Sequence, residues 1–168
     1  MSDDIRFVPF RAADGGASLM LIAEQTLPGM PQDVFPFFSD ALNLEQITPP
    51  WLRFRVLTPG PIELGEGTLI DYRLALHGVP LRWHTRITGW DPPHRFSDEQ
   101  ISGPYRVWKH LHTFERLDGG RTLARDRVEY RIRGGRVLQA LAQRVLVERD
   151  LRAIFAYRRR RLAEIFPG

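Results

Sequence analysis

Residues 136–166 read RVLQALAQRVLVERDLRAIFAYRRRRLAEIF, a stretch with neither proline nor glycine. Its apolar residues recur at helical spacing: Val137, Leu138, Leu141, Val145 and Leu146, then Leu151, Ile154, Phe155, Leu162, Ile165 and Phe166. The spacing predicts one amphipathic helix, and at ~1.5 Å per residue roughly 30 residues make it ~45 Å long. Such a helix has to bury its apolar face on another layer of structure. Nearly everything upstream reads as strands, so that layer is a sheet.

Working back from Gly134-Gly135, the period changes from helical to alternating. Thr122 to Arg133 is the last predicted strand, entered through Asp118-Gly119-Gly120. Arg95 to Ile101 and Tyr105 to Arg116 form a hairpin about Ser102-Gly103-Pro104, and Thr68 to Leu76 pairs with Leu81 to Trp90 through His77-Gly78-Val79-Pro80. Trp51 to Leu57 alternates and is read as a further strand. Ser18 to Leu27 is the first, stopped by Pro28-Gly29-Met30-Pro31. Two short helices follow it: one opened by Pro31 and carrying Val34, Phe35 and Phe38, the other capped by Asp40 and running from Ala41 to Ile47. Residues 1–16 carry little periodic signal. The expected class is α+β: a curved antiparallel sheet of about seven strands wrapped around the long C-terminal helix. A single domain over residues 1–168 is expected, with its core at about 18–166.

Bulk properties narrow the function classes. The chain has 168 residues, 43% hydrophobic and 11% aromatic, which is ordinary globular composition. No apolar run reaches the ~20 residues of a membrane-spanning helix, and MSDDIRFVPF does not read as a signal peptide. The absence of cysteine excludes disulfides, thiolate metal sites and a cysteine nucleophile, and fits a cytoplasmic location. The net charge of +4 is carried by arginines spread along the chain, with Lys109 the single lysine, so no nucleic-acid partner is expected. Arg158 to Arg161 point around most of a helix and are read as a solvated helix end. Phosphate-loop, dinucleotide and nucleophile-elbow patterns are absent, and Ser39 and Ser102 have no neighbour to activate a hydroxyl.

Strand alternation sorts the side chains by face. Lys109 belongs outside, which turns Trp108, His110, His112 and Phe114 inward. The same reasoning turns in Phe96, Asp98 and Gln100; Leu81, Trp83, Thr85 and Ile87; Ile70, Tyr72, Leu74 and Leu76; and Thr122, Ala124, Asp126, Val128 and Tyr130. The inner face is therefore aromatic and aliphatic with an embedded polar set, the character of a small-molecule pocket. Two histidines two residues apart on one strand face, with Asp98 or Asp126 near them, have three readings. They form a hydrogen-bonded, ligand-orienting network, or a His–Asp acid/base pair, or a metal site. The network is the preferred reading, and no cofactor is expected. Trp51 is read as a packing anchor at the rim.

The order of one strand, two short helices, six strands and a long helix resembles the SRPBCC superfamily of START-like, helix-grip domains. PQDVF at 31–35, NLEQITPPW at 43–51, FSDEQISGPY at 96–105 and WKHLHTF at 108–114 are similar to bacterial members described as cyclase/dehydrase-like or ligand-binding. That resemblance covers residues 18 to 166. It implies a cavity between sheet and helix for a small hydrophobic molecule such as a lipid, isoprenoid or polyketide-like compound. The alternative it implies is a cyclase/dehydratase-type enzyme acting on a polyketide-like substrate in the same cavity; a third reading is an interaction module whose cavity is filled. The residues expected to line a ligand are Tyr72, Trp83, Phe96, Asp98, Gln100, Trp108, His110, His112, Asp126 and Tyr130.

Overall fold

Among the described residues, antiparallel strands β1 (Ile5–Arg11), β2 (Ala17–Pro28), β3 (Arg55–Val56), β4 (Leu69–Leu76), β5 (Val79–Asp91), β6 (Arg95–Ser102), β7 (Tyr105–Leu117) and β8 (Arg121–Ile132) form one sheet. Its spatial order is β1-β2-β8-β7-β6-β5-β4-β3. Between β2 and β3 come α1 (Pro31–Phe38), a 3-10 turn at Ala41–Asn43, α2 (Leu44–Ile47) and a second 3-10 turn at Pro50–Leu52; α3 (Val137–Ile165) closes the chain. The structure, a computed structural model, describes residues 5–133 and 137–168, with α3 side chains from residue 144 onward. The glycine pair at 134–135 and the side chains of Val137, Leu138 and Leu141, used above, lie outside the described residues.

The α+β reading and the helix-grip resemblance hold, and three elements differ from the sequence reading. The first is β1. It pairs with β2 from Ile5↔Ala23 to Arg11↔Ala17, giving an eighth strand where about seven were expected. Pro9 obscures its signal, and an edge strand tolerates a proline because one side of it has no ladder to join. The second is Trp51 to Leu57, which is mostly not a strand. Pro50 opens a 3-10 turn, Arg53 takes a left-handed conformation (φ 47°), and pairing is confined to Arg55 and Val56. The third is the β4–β5 turn. His77 and Gly78 both have positive φ (49° and 83°), the mirror-image two-residue loop whose twist matches a hairpin. Two residues close it, so Val79 and Pro80 belong to β5.

The core sits in three connected patches. Phe35 and Phe38 of α1 pack edge-on against Phe114 at 5.4 and 4.9 Å between ring centroids, with Leu27, Val34 and Leu162 around them. Leu151 and Phe155 of α3 pack on Ile5, Leu21, Val128 and Tyr130. Ala41, Ile70, Tyr72 and Ile87 form the third patch with Phe54 and Trp83. Helix α3 therefore rests on β1, β2 and β8, with α2 at its side. The inner face of β4 to β6 is left to be covered by other elements.

Leu21 is completely buried under α3, whereas Val8 on β1 is 43% exposed. Leu21→Ala should cost about 2–5 kcal/mol, while Val8→Ala should stay within about 0.5 kcal/mol. Urea denaturation read by circular dichroism checks both, the midpoint moving for Leu21→Ala alone.

Candidate functional site

The space beside α3 is a cavity of about 200 Å³. Its floor is made of inward-facing residues of four strands: Ile70, Tyr72, Leu74 and Leu76 of β4, Trp83, Thr85 and Ile87 of β5, Phe96 and Asp98 of β6, and Trp108, His110 and His112 of β7, joined by Tyr105, which a register shift between Tyr105 and Val107 brings to the same face. Leu151, Ile154, Phe155 and Arg158 of α3 form one wall. The connection between α1 and β3 supplies the other through Leu44, Ile47, Leu52 and Phe54. Trp51 lies outside this wall, exposed, with its ring edge-on to Tyr157 of α3 at 5.8 Å. It ties the connection to the helix.

One patch of this lining is polar. The β6–β7 register sets Asp98 opposite His110, and the β7–β8 register sets Asp126 opposite His112. Asp126 Oδ1 lies 2.9 Å from His110 Nε2, which donates to it, and 2.8 Å from His112 Nδ1. The opposite edges of the two rings face Asp98, whose Oδ2 is 3.5 Å from His112 Nε2 and 3.9 Å from His110 Nδ1. Those separations are longer than a formed N–H···O bond. The ring planes are held by stacking: His110 and His112 are 3.8 Å apart between centroids, and Phe96 lies on His112 at 4.1 Å and 17°.

Arg158 reaches this patch from α3. It is 8% exposed, its Nη2 is 3.5 Å from Asp126 Oδ1, and its guanidinium lies over Phe38 and Phe155 at 5.5 and 5.8 Å. Its Nε has no hydrogen-bond partner among the described residues. This corrects the reading of Arg158 to Arg161 as a solvated end. Arg161 also turns back, donating to the Gln46 carbonyl at 3.1 Å, while Arg160 lies over Tyr157. A signal for Arg158 was in the sequence: Leu151, Phe155, Arg158 and Leu162 follow the 4-3-4 spacing of a buried stripe.

Burial and charge pull the group's protonation apart. Burial disfavours the charged imidazole and His112 repels a second proton, so the pKa of His110 lies below the ordinary value in spite of Asp126. Burial also works against a charged His112, but its contacts with Asp126 and Asp98 outweigh it and raise the pKa. Burial would likewise raise Asp126, yet Arg158 and the two histidines hold its carboxyl well below the usual range. Tyr72, deeply buried and near Asp98, is pushed far up and stays a neutral hydroxyl.

Three comparisons bear on what kind of protein this is. A family model described as polyketide cyclase / dehydrase and lipid transport matches residues 27–155. The chain belongs to that family. No curated protein matches the sequence. Among solved structures, protein Ms6760 from Mycobacterium smegmatis is 19% identical with a TM-score of 0.60, over 97% of this chain and 98% of that one. Protein CV1439 from Chromobacterium violaceum is 13% identical with a TM-score of 0.63, over 89% and 97%. The di-domain ARO/CYC BexL from the BE-7585A biosynthetic pathway is 16% identical with a TM-score of 0.60, over 89% of this chain and 48% of that one. At these identities the three structures share the fold.

Within this member of the cyclase/dehydrase and lipid-transport family, the ten residues named from the sequence divide into two groups. Tyr72, Trp83, Phe96, Asp98, Trp108, His110 and His112 line the cavity. Gln100, Asp126 and Tyr130 are not in its lining. Gln100 is taken up by the β6–β7 turn, its amide donating to the Tyr105 carbonyl at 2.9 Å while its oxygen accepts from the Tyr105 amide. Asp126 sits behind the histidines as their common acceptor. Tyr130 is fully buried under α3 among Leu21, Val128 and Leu151. The lining residues the sequence reading left out come from the end of α1, the α1–β3 connection, Tyr105 of β7, and Leu151, Ile154, Phe155 and Arg158 of α3. No helix among the described residues is long and apolar enough to cross a membrane.

Asp126 carries the group's electrostatics. Asp126→Asn leaves Arg158 buried without its carboxylate and should cost about 3–5 kcal/mol near neutral pH. Because the folded carboxyl titrates below the unfolded one, its contribution is whole above about pH 4 and is lost as the pH falls through the folded value. Urea midpoints measured from neutral to acid pH should therefore converge for wild type and variant as the pH drops.

Proposed function

We propose that the protein holds a small, mostly apolar molecule bearing one oxygen-containing group, its body among the aromatic and aliphatic residues and its polar end on the Asp98–His112–Arg158 patch. One observation carries this reading: the cavity lining is mostly apolar, and its ionisable groups other than the helix-capping Asp40 are gathered at Asp98, His110, His112 and Arg158, so it discriminates the two ends of such a ligand. Arg158 supports it directly. A buried guanidinium with an unpaired Nε and a place in the lining is suited to receive an oxygen from a ligand. The family description, spanning lipid transport and cyclase/dehydrase activity, agrees with an apolar or polyketide-like occupant.

The chemistry of the patch also bears on the cyclase/dehydratase alternative. His110 and Asp126 form a buried, hydrogen-bonded pair at the cavity wall, the arrangement that moves a proton to a leaving hydroxyl or away from an enolisable carbon. Holding is the reading preferred here, because it asks of the patch only what its distances already provide.

A fluorescent polyunsaturated fatty acid, cis-parinaric acid, is a suitable probe. Wild type should bind it saturably at one equivalent. Leu74→Trp, which fills the β4 side of the cavity, should weaken binding by about tenfold or more, about 1.4 kcal/mol, with an unchanged circular dichroism spectrum. Equal affinity in the two proteins, or no saturable binding by a folded wild type, overturns the reading. Mass spectrometry of material incubated with a host extract adds the second arm: an unaltered bound molecule supports holding, and a product lighter by one water replaces it with dehydratase chemistry.

A further inference from the structure

Asp126 faces two nitrogens, His110 Nε2 at 2.9 Å and His112 Nδ1 at 2.8 Å. As the acceptor shared by both rings it takes the N–H edge of each, and a neutral imidazole that donates from one nitrogen presents a lone pair on the other. With both rings neutral, the lone-pair edges are His110 Nδ1 and His112 Nε2, and both face Asp98 Oδ2. Three electron-rich atoms, all within 4.8 Å of one another, converge from adjacent strands. The ring nitrogens stand farther from Asp98 than a well-formed hydrogen bond, and a second proton on His112, which Asp98 and Asp126 favour, competes with a metal ion for this edge.

The spacing suits a metal ion. Ligand atoms about 2.1 Å from a tetrahedral centre stand about 3.4 Å from one another, against the 3.5 and 3.9 Å found from Asp98 to the two rings, while the two ring nitrogens lie within 4.8 Å of each other, so the rings have to draw together on the ion by up to about 1.4 Å. The support behind the ligands suits it as well. A carboxylate accepting the far N–H of a histidine fixes its tautomer and direction, as the outer partners of metal-bound histidines do. Here one carboxylate does so for both rings. Arg158 lies 3.5 Å from Asp126 Oδ1 and offsets that outer charge, which leaves Asp98 to face the ion. Phe96 stacked on His112 and Phe155 edge-on to His110 at 6.2 Å restrain the ring planes.

We propose that Asp98, His110 and His112 bind one divalent first-row transition-metal ion, with its remaining coordination positions open to the cavity. Two imidazoles and one carboxylate suit ions of the zinc, cobalt and ferrous class, whereas calcium and magnesium favour all-oxygen sites. All three ligands line the cavity, so the open positions face the place where a bound molecule's oxygen would lie. This departs from the expectation of no cofactor, in which the histidines were weighed mainly as hydrogen-bonding groups. The inference does not depend on an apolar ligand, because it is tested with the metal alone.

Full-length protein, treated with chelator and dialysed, is titrated with Zn²⁺ by calorimetry and with Co²⁺ by visible absorption. Wild type should take up one equivalent, and Co²⁺ should give the intense ligand-field band of a four- or five-coordinate nitrogen/oxygen site. Asp98→Asn, His110→Gln and His112→Gln should each abolish the one-equivalent step, and Asp126→Asn should weaken it by about 10–100-fold. His77→Gln and His84→Gln remove histidines from exposed two-residue pairs with Asp150 and Asp71, and should change nothing. Circular dichroism confirms that each variant is folded. Should a site variant fail to fold, the Co²⁺ spectrum of wild type still decides. The inference is overturned by a folded wild type without a one-equivalent step, by a weak octahedral Co²⁺ spectrum, or by uptake that Asp98→Asn leaves intact. Metal uptake without fatty-acid binding would retain this site and overturn the ligand reading, and the reverse result would do the opposite.

Discussion

A helix about 10 Å across cannot cover a sheet of eight strands spaced about 4.8 Å apart. This mismatch governs the rest of the structure. Helix α3 lies on β1, β2 and β8, where Leu151 and Phe155 meet Ile5, Leu21, Val128 and Tyr130. Helix α1 covers a second portion through Phe35 and Phe38 on Phe96 and Phe114. What remains, the inner face of β4 to β6 and part of β7, is roofed by the chain between α1 and β3, which meets the floor where Ala41 and Phe54 pack on Ile70, Tyr72 and Ile87 and leaves space beside that contact. The cavity follows from the topology. The sequence makes its lining mostly apolar, with Asp98, His110, His112 and Arg158 as the one ionisable exception besides the helix-capping Asp40.

That exception is held by the strand register. Asp98 faces His110, and His112 faces Asp126, because β6, β7 and β8 pair as they do. A slip of one residue in β7 would turn Lys109 and Thr113 inward and carry both histidines to the outer surface. The register is fixed in turn by the apolar residues Phe96 and Phe114 on the inner face and by charged Lys109 on the outer one. The buried polar group is thus positioned by hydrophobic packing around it, and one carboxylate, Asp126, faces two imidazoles and a guanidinium. Few other arrangements would let two histidines and two aspartates remain in a wall of this polarity.

Most of the architecture was legible because it rests on periodicity. Uninterrupted helical spacing gave α3, and alternation between Gly/Pro punctuation gave β2 and β4 to β8. Alternation also put Trp108, His110 and His112 on the inner face, with Lys109 as the indicator of the outer one. The failures have local causes. An edge strand with one proline gave no usable period in β1. At residues 51–57 apparent alternation was overridden by a prolyl 3-10 turn and by Arg53 in a left-handed conformation. Gln100 was assigned the correct face, but alternation does not report that a side chain is consumed by its own hairpin turn. Arg158 was hidden among four arginines: composition suggested a solvated end, while the 151-155-158-162 stripe placed this one inside.

The site's parts divide unequally between scaffold and chemistry. The apolar lining is spread over β4, β5, β7, α3 and the α1–β3 connection, so no single substitution redefines what body the cavity accepts. The groups able to act on an occupant are concentrated: Asp98, His110 and His112 all come from the β6–β7 hairpin, with Asp126 and Arg158 behind them. A fold built this way can change what it does to a molecule without changing how it encloses one, since three side chains on one hairpin can be exchanged while α3 and the outer strands keep their packing. That separation is a physical reason why one family description can span both lipid transport and cyclase/dehydrase chemistry.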